Sequence, residues 1–154
     1  MTDPINGDKN HGFVQGYLLY LLAAASEAAS AEFHAKVREA GLRVPEWRVL
    51  AGLYDQNGRM VTELARISLI EQSRLTHIII QMEKREFVRR KSDLKDGRKV
   101  RVYLTEKGRE LANQLVEQAR THEKNLLKAL EEGDGARLKP ALRALLVKLE
   151  ANSS

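Results

Sequence analysis

The sequence predicts a mostly α (α+β) fold, a winged helix-turn-helix set between long N- and C-terminal helices. Three observations predict it. Two short helical segments, 62–67 and 72–86, are separated by Ser68-Leu69-Ile70-Glu71, which is helix-turn-helix spacing. After Phe87 the helical period gives way to alternation on either side of an Asp96-Gly97 hairpin signal. Long apolar stripes of helical period then flank this centre on both sides.

Each element follows from its residues. Phe13, Tyr17, Leu21, Ala24, Ala28, Ala31 and Ala35 recur at steps of three and four, which predicts one helix from Phe13 to Arg38. Between Tyr17 and Ala25 that helix is apolar on nearly every side, so burial from more than one direction is expected, as against a second subunit. Gly41 supplies a stop. Pro45 and Glu46 open the next helix, Pro45 to Asp55, because proline fits a first turn whose N–H groups have no intrahelical partner. Asn57-Gly58 signals a turn. In the helix from Gln72 to Glu86, Leu75, Ile78, Ile79 and Met82 form the inward face.

Val88 to Lys91 and Lys99 to Leu104 read as the two strands of a wing, with Val100, Val102 and Leu104 alternating against Arg101 and Tyr103. Thr105 is a good N-cap for a long helix carrying Leu111, Leu115, Ala119, His122, Leu126 and Leu130 on one face. Gly133-Asp134-Gly135 is expected to break it. A last helix then carries Leu138, Leu142, Leu145, Leu146 and Leu149, and Pro140 requires that it begin near Lys139 or kink.

Composition narrows the function. The 154 residues, 43% hydrophobic, suffice for one core and leave no room for a second large domain. A net charge of +5 suits a polyanionic partner without requiring one. With no cysteine there is no disulfide, thiolate metal site or thiol switch, and a cytoplasmic setting is expected. Met1 to Asn10 is polar and lacks the pattern of a secretory signal, and the uncharged run from Asn10 to Ser26 falls short of the roughly 20 apolar residues of a membrane helix. His11, His34, His77 and His122 show no zinc-ligand spacing, so neither metal nor cofactor is expected. Without a glycine-rich phosphate loop, a nucleophile elbow or a His-Glu metal motif, the chain is not expected to be an enzyme.

The leading reading is recognition of double-stranded DNA. A helix that enters the major groove must offer short polar or forked side chains near its start. Gln72, Ser73, Arg74, Thr76, His77 and Gln81 are the candidates: Arg74 to grip guanine, Gln72 or Gln81 adenine, Ser73 and Thr76 bases or phosphates. From Lys84 to Arg101 nine lysines and arginines stand against three acids, on a hairpin able to follow the phosphate backbone. Lys95 and Arg101 are the candidate phosphate contacts and Arg98 lies near the tip. The alternative from another class is a winged helix that binds an acidic protein and shows no sequence-specific DNA affinity.

Pro45-Glu46-Trp47-Arg48-Val49-Leu50, Thr62-Glu63-Leu64-Ala65, Gln72-Ser73-Arg74-Leu75-Thr76-His77, Met82-Glu83-Lys84-Arg85 and Leu104-Thr105-Glu106-Lys107-Gly108 together resemble the MarR family of bacterial transcriptional regulators. The resemblance covers most of the chain, in family order. It implies one MarR-type domain over residues 1–154, with dimerisation helices at about 10–40 and 106–151 and a winged helix-turn-helix at about 45–105, its wing 88–104. It further implies a homodimer on a pseudo-palindromic operator, a repressor released by a small, frequently aromatic and anionic effector. In that pattern Arg98 enters the minor groove with Asp96 orienting it, while Tyr17, Ser30, His34, Arg38 and Trp47 are the candidate effector residues.

Overall fold

A computed structural model of the chain describes residues 12–153, and the readings made on Met1 to Asn10 and His11 lie outside that range. The chain divides into two compact units, residues 1–42 and 43–154.

The first unit holds α1 (Gly12–Gly16) and α2 (Leu18–Glu39). The single helix predicted from Phe13 is thus two, parted at Tyr17, whose backbone is extended at φ −77°, ψ 126°. Gly16 explains the break, because glycine inside a helix costs about 1 kcal/mol relative to alanine. The apolar period runs straight across it and concealed it. Tyr17 instead stacks on Phe13 with ring centroids 5.1 Å apart, and its carbonyl accepts the Leu21 N–H as α2 begins. Gly41, at φ +81°, closes α2 as expected: its N–H reaches Arg38 O, and the Leu42 N–H reaches Val37 O at 3.1 Å. Leu18, Leu19, Tyr20 and Leu21, expected to be buried on several sides, are exposed in the single chain.

The second unit begins with α3 (Val44–Asp55), started by Pro45 and by Glu46, whose carboxylate accepts the Arg43 N–H at 2.8 Å. At the Asn57-Gly58 turn, Gly58 takes φ +79° and Asn57 Oδ1 accepts the Leu104 N–H at 2.9 Å. There follow β1 (Arg59–Met60), α4 (Val61–Ser68), α5 (Gln72–Lys84), β2 (Val88–Ser92), β3 (Val100–Leu104), α6 (Glu106–Lys128) and α7 (Glu132–Ala151). β3 lies between β1 and β2, antiparallel to both, with Val88 opposite Leu104 and Arg59 opposite Val102. The predicted two-stranded wing therefore grows from a three-stranded sheet. The core is built from Leu50 and Leu53 of α3, Leu64 of α4, Leu75, Ile79 and Met82 of α5, Val88, Val102 and Leu115.

Three other boundaries differ from the sequence reading. α5 ends at Lys84, before the predicted Glu86, because Glu86 turns to φ +63° and the Phe87 N–H closes on Met82 O at 3.0 Å. The Asp96-Gly97 pair makes no primed hairpin turn, since among the described glycines only Gly12, Gly41 and Gly58 have positive φ. Asp96 Oδ1 instead accepts the Arg98 N–H at 3.1 Å, and the Lys99 N–H bonds Asp96 O at 2.9 Å. Lastly, Gly133-Asp134-Gly135 does not break the chain's helices but lies within the start of α7, and the bend falls before it. A Cβ on Gly135 would come within 2.8 Å of Leu127 O, so the glycine serves a close approach between α6 and α7. Pro140 sits inside α7, which begins well before Lys139.

Leu69 carries backbone strain. It caps α4 at φ 56°, ψ 42°, the left-handed conformation that glycine adopts without cost, and its side chain is 83% exposed. Little packing offsets the strain. Leu69→Gly is therefore expected to raise stability by about 1 kcal/mol, read as a higher urea midpoint at unchanged slope. A lower midpoint would mean that the leucine contributes packing after all.

Candidate nucleic-acid interface

The start of α5 is fixed by Glu71, whose carboxylate accepts the Ser73 N–H at 3.1 Å, the Arg74 N–H at 3.2 Å and the Ser73 hydroxyl. Those bonds, the Ser73 hydroxyl foremost, hold the Glu71 carboxyl below the usual carboxylate range. Gln72, Ser73, Arg74, His77 and Gln81 are all exposed, and Thr76 is half-buried with its hydroxyl donating back to Gln72 O at 3.1 Å. As expected, Leu75, Ile78, Ile79 and Met82 face inward.

Beside this helix lies a cleft of about 320 Å³. Gln72 and Thr76 of α5, Thr62 at the start of α4, and Arg90, Arg98 and Lys99 of the wing line it, so one concave surface joins amide, hydroxyl and guanidinium groups. The sequence reading picked out Gln72, Thr76 and Arg98 but missed Thr62, Arg90 and Lys99. Arg89-Arg90-Lys91 gave no alternation from which to tell one face of β2 from the other.

Arg90 is tied to α5. Glu83 accepts its N–H at 2.8 Å and its guanidinium at 3.1 and 3.0 Å, and these bonds, the backbone one first, lower the Glu83 carboxyl. The pair joins β2 to the polar helix. Arg98 stands 93% exposed, its Nε 3.4 Å from Asp96, the orienting partner expected from the sequence. Lys95 is exposed as well. Arg101 differs: its guanidinium donates to Asp93 at 2.9 Å and to Gly58 O at 2.8 Å, which brace the base of the wing. The mutual hydrogen bond lowers the Asp93 carboxyl and raises the Arg101 guanidinium. Gln81 is engaged too, because Arg43 donates to its side-chain oxygen at 2.5 Å.

Of the candidate effector residues, Ser30, His34 and Arg38 fall at four-residue steps along α2, Arg38 exposed and the other two half-buried, while Tyr17 occupies the break before it. Trp47 belongs to the second unit. It is half-buried and lines a groove of about 290 Å³ with Ala51, Tyr54, Val116 and Arg120. The Arg120 guanidinium lies 5.9 Å from the Tyr54 ring centroid and pairs with Glu117 at 2.9 Å. Tyr54 and Arg120 went unremarked in the sequence because the groove forms only where α3 packs on α6. Among the described residues no cluster of three or more metal-ligating side chains occurs, and no helix is long and apolar enough to cross a membrane.

Comparison with known proteins places these features in context. A family model described as transcriptional regulator SarA/Rot matches residues 32–115. The solved structure of a MarR family transcriptional regulator from Silicibacter pomeroyi DSS-3 is 57% identical, with a TM-score of 0.82, over 89% of this chain and 98% of that one. NadR in complex with 4-hydroxyphenylacetate is 26% identical, with a TM-score of 0.71, over 80% of this chain and 88% of that one. The HTH-type transcriptional regulator TtmR of Methylorubrum extorquens (strain PA1) is 29% identical over 98 residues, 64% of this chain. The match spans about half, 50%, of that curated relative's length.

Proposed function

The chain belongs to the MarR family of winged-helix transcriptional regulators, which are DNA-binding proteins and not enzymes, and from that premise we propose a homodimeric, sequence-specific repressor released by a small aromatic anion. The observation that carries this reading is the cleft in which Gln72 and Thr76 of α5 meet Arg90, Arg98 and Lys99 of the wing. α5 enters the major groove and Gln72, Ser73, Arg74, Thr76, His77 and Gln81 face the bases and adjoining phosphates. Lys95 neutralises phosphate, and Arg90, paired with Glu83, holds β2 beside α5. Arg98 reaches the neighbouring minor groove, and Arg101 acts by bracing the hairpin on which it stands.

Residues 1–154 act as one MarR-type unit, with about 45–105 on DNA and the helices at about 10–40 and 106–151 pairing two copies. Support comes from the exposed leucines of α7, among them Leu138, Leu142, Leu145 and Leu149, and from the exposed apolar start of α2. A second copy is the simplest cover for both. Two winged helices related by a twofold axis would then read a pseudo-palindromic operator and exclude polymerase from the promoter.

The groove beside Trp47 supports the effector class. It offers aromatic walls from Trp47 and Tyr54 and, beside the carboxylates of Asp55 and Glu123, the Arg120 guanidinium, which an anion would have to draw from Glu117; NadR, a relative of similar fold, is described with 4-hydroxyphenylacetate bound. Tyr17, Ser30, His34 and Arg38 remain candidates on the first unit. For such a ligand to release DNA it must bind the DNA-incompetent arrangement more tightly than the competent one.

Light scattering on the protein with and without a duplex from its own upstream region tests the assembly. The expected result is a dimer in both samples and two chains per duplex, with displacement from DNA by an aromatic acid. A monomer that binds DNA one chain at a time would contradict the twofold arrangement.

A further inference from the structure

This inference rests on the reading of α5 as the base-reading helix and concerns what Ser73 can do there. Ser73 is exposed in the first turn of α5. Its hydroxyl donates to the Glu71 carboxylate, whose two oxygens also accept the Ser73 N–H at 3.1 Å and the Arg74 N–H at 3.2 Å. With its carboxyl lowered by these bonds, the hydroxyl's foremost, Glu71 is ionised at neutral pH and can only accept.

A serine hydroxyl has one hydrogen and two lone pairs. The single hydrogen is therefore spent on Glu71, while the oxygen can still accept. A phosphate offers only acceptors, so it finds no donor on this hydroxyl and meets a carboxylate charge one hydrogen bond away. Glu71 also fills the Ser73 and Arg74 N–H groups that would otherwise draw an anion to this end of the helix.

Base edges in the major groove are left. There adenine N6 and cytosine N4 donate, whereas guanine N7 and O6 and thymine O4 accept. We propose that Ser73 reads the operator as a hydrogen-bond acceptor, with Glu71 as its positioning residue, and so favours adenine or cytosine over guanine or thymine at one position of each half-site.

Selection from a randomised duplex library, using the full chain and its Ser73→Ala and Glu71→Ser variants, tests this. The wild type should enrich adenine or cytosine about fivefold at one half-site position, as one neutral hydrogen bond allows. Ser73→Ala should flatten that position and leave both the affinity for random duplex and its salt slope unchanged. Glu71→Ser keeps a capping oxygen at the start of α5 but withdraws the carboxylate, so the Ser73 hydroxyl regains its hydrogen and the position should admit guanine and thymine as readily. An equal loss on every duplex from Ser73→Ala would make the hydroxyl a phosphate contact and overturn the proposal. So would a motif untouched by Ser73→Ala, a Ser73-dependent preference for guanine or thymine, or one unmoved by Glu71→Ser, and each of these leaves the regulator standing. A wild type that enriches no sequence would instead overturn the reading of α5 on which the proposal rests.

Discussion

Gly108→Ala should destabilise the protein by about 3 kcal/mol or more, lowering the melting temperature by roughly 10 °C. A Cβ at this position would sit 2.0 Å from the carbonyl oxygen of Phe87 and 3.0 Å from its carbon. Both are backbone atoms at the point where the chain enters β2, so no flexible side chain can yield. The same corner carries the cap of α6: Thr105 Oγ1 accepts the Gly108 N–H at 3.0 Å, and the Thr105 N–H donates to Phe87 O at 3.1 Å. Moving Gly108 outward would break the cap and detach the wing's first strand from the helix that follows the sheet. Gly97→Ala is the control, because a Cβ there meets nothing within 4 Å. Thermal denaturation of the two variants side by side gives the answer, and equal melting temperatures would mean that α6 can slide away from the sheet at little cost.

Arg98→Ala and Arg74→Ala should lose DNA affinity in different ways. Arg98 is exposed at the wing, and in the proposed complex its charge would meet backbone and groove without reading a base in the major groove. Its removal should weaken operator and random duplex by the same factor and reduce the slope of log affinity against log salt by about 1. Arg74 lies in the first turn of α5, where a bidentate contact to guanine is worth about 1–3 kcal/mol. Its loss should fall mainly on the operator and change the order of preference among operators. Fluorescence titrations of both variants on both duplexes separate these results. Equal losses on operator and random DNA for both variants would defeat the division of labour.

The helices were legible wherever packing and local chemistry agreed. The inward face of α5 is spelled out by Leu75, Ile78, Ile79 and Met82, and Gly41, Pro45 and Thr105 mark ends that depend only on neighbouring backbone. Reading failed where one local signal had two uses. Gly16 interrupts the apolar period, and Gly133 and Gly135 resemble a helix stop although both lie within α7, where Gly135 serves a close approach to α6. β1 is only two residues long and shows no period of its own.

In the candidate site the exposed polar face of α5 and the basic wing could be named from sequence, but their internal partners could not. Arg43 meets Gln81 across 38 positions, and Arg101 reaches Gly58 O across 43. Such pairs exist only once the sheet and helices have packed. They also change roles: Gln81 shares its amide oxygen with Arg43 and Arg101 becomes a brace, whereas Arg98, paired with its neighbour Asp96, keeps the exposure the sequence suggested.

The central claim is sequence-selective binding of duplex DNA, and the most direct test is a fluorescence-anisotropy titration of the purified protein. Duplex from its own upstream region and a scrambled control would be compared at two salt concentrations. The account predicts tight, salt-sensitive binding to the first and much weaker binding to the second, with saturation at two chains per site. Weak binding equal on both duplexes, repeated on sequences recovered by library selection, would contradict it and turn attention to an acidic protein partner for the wing.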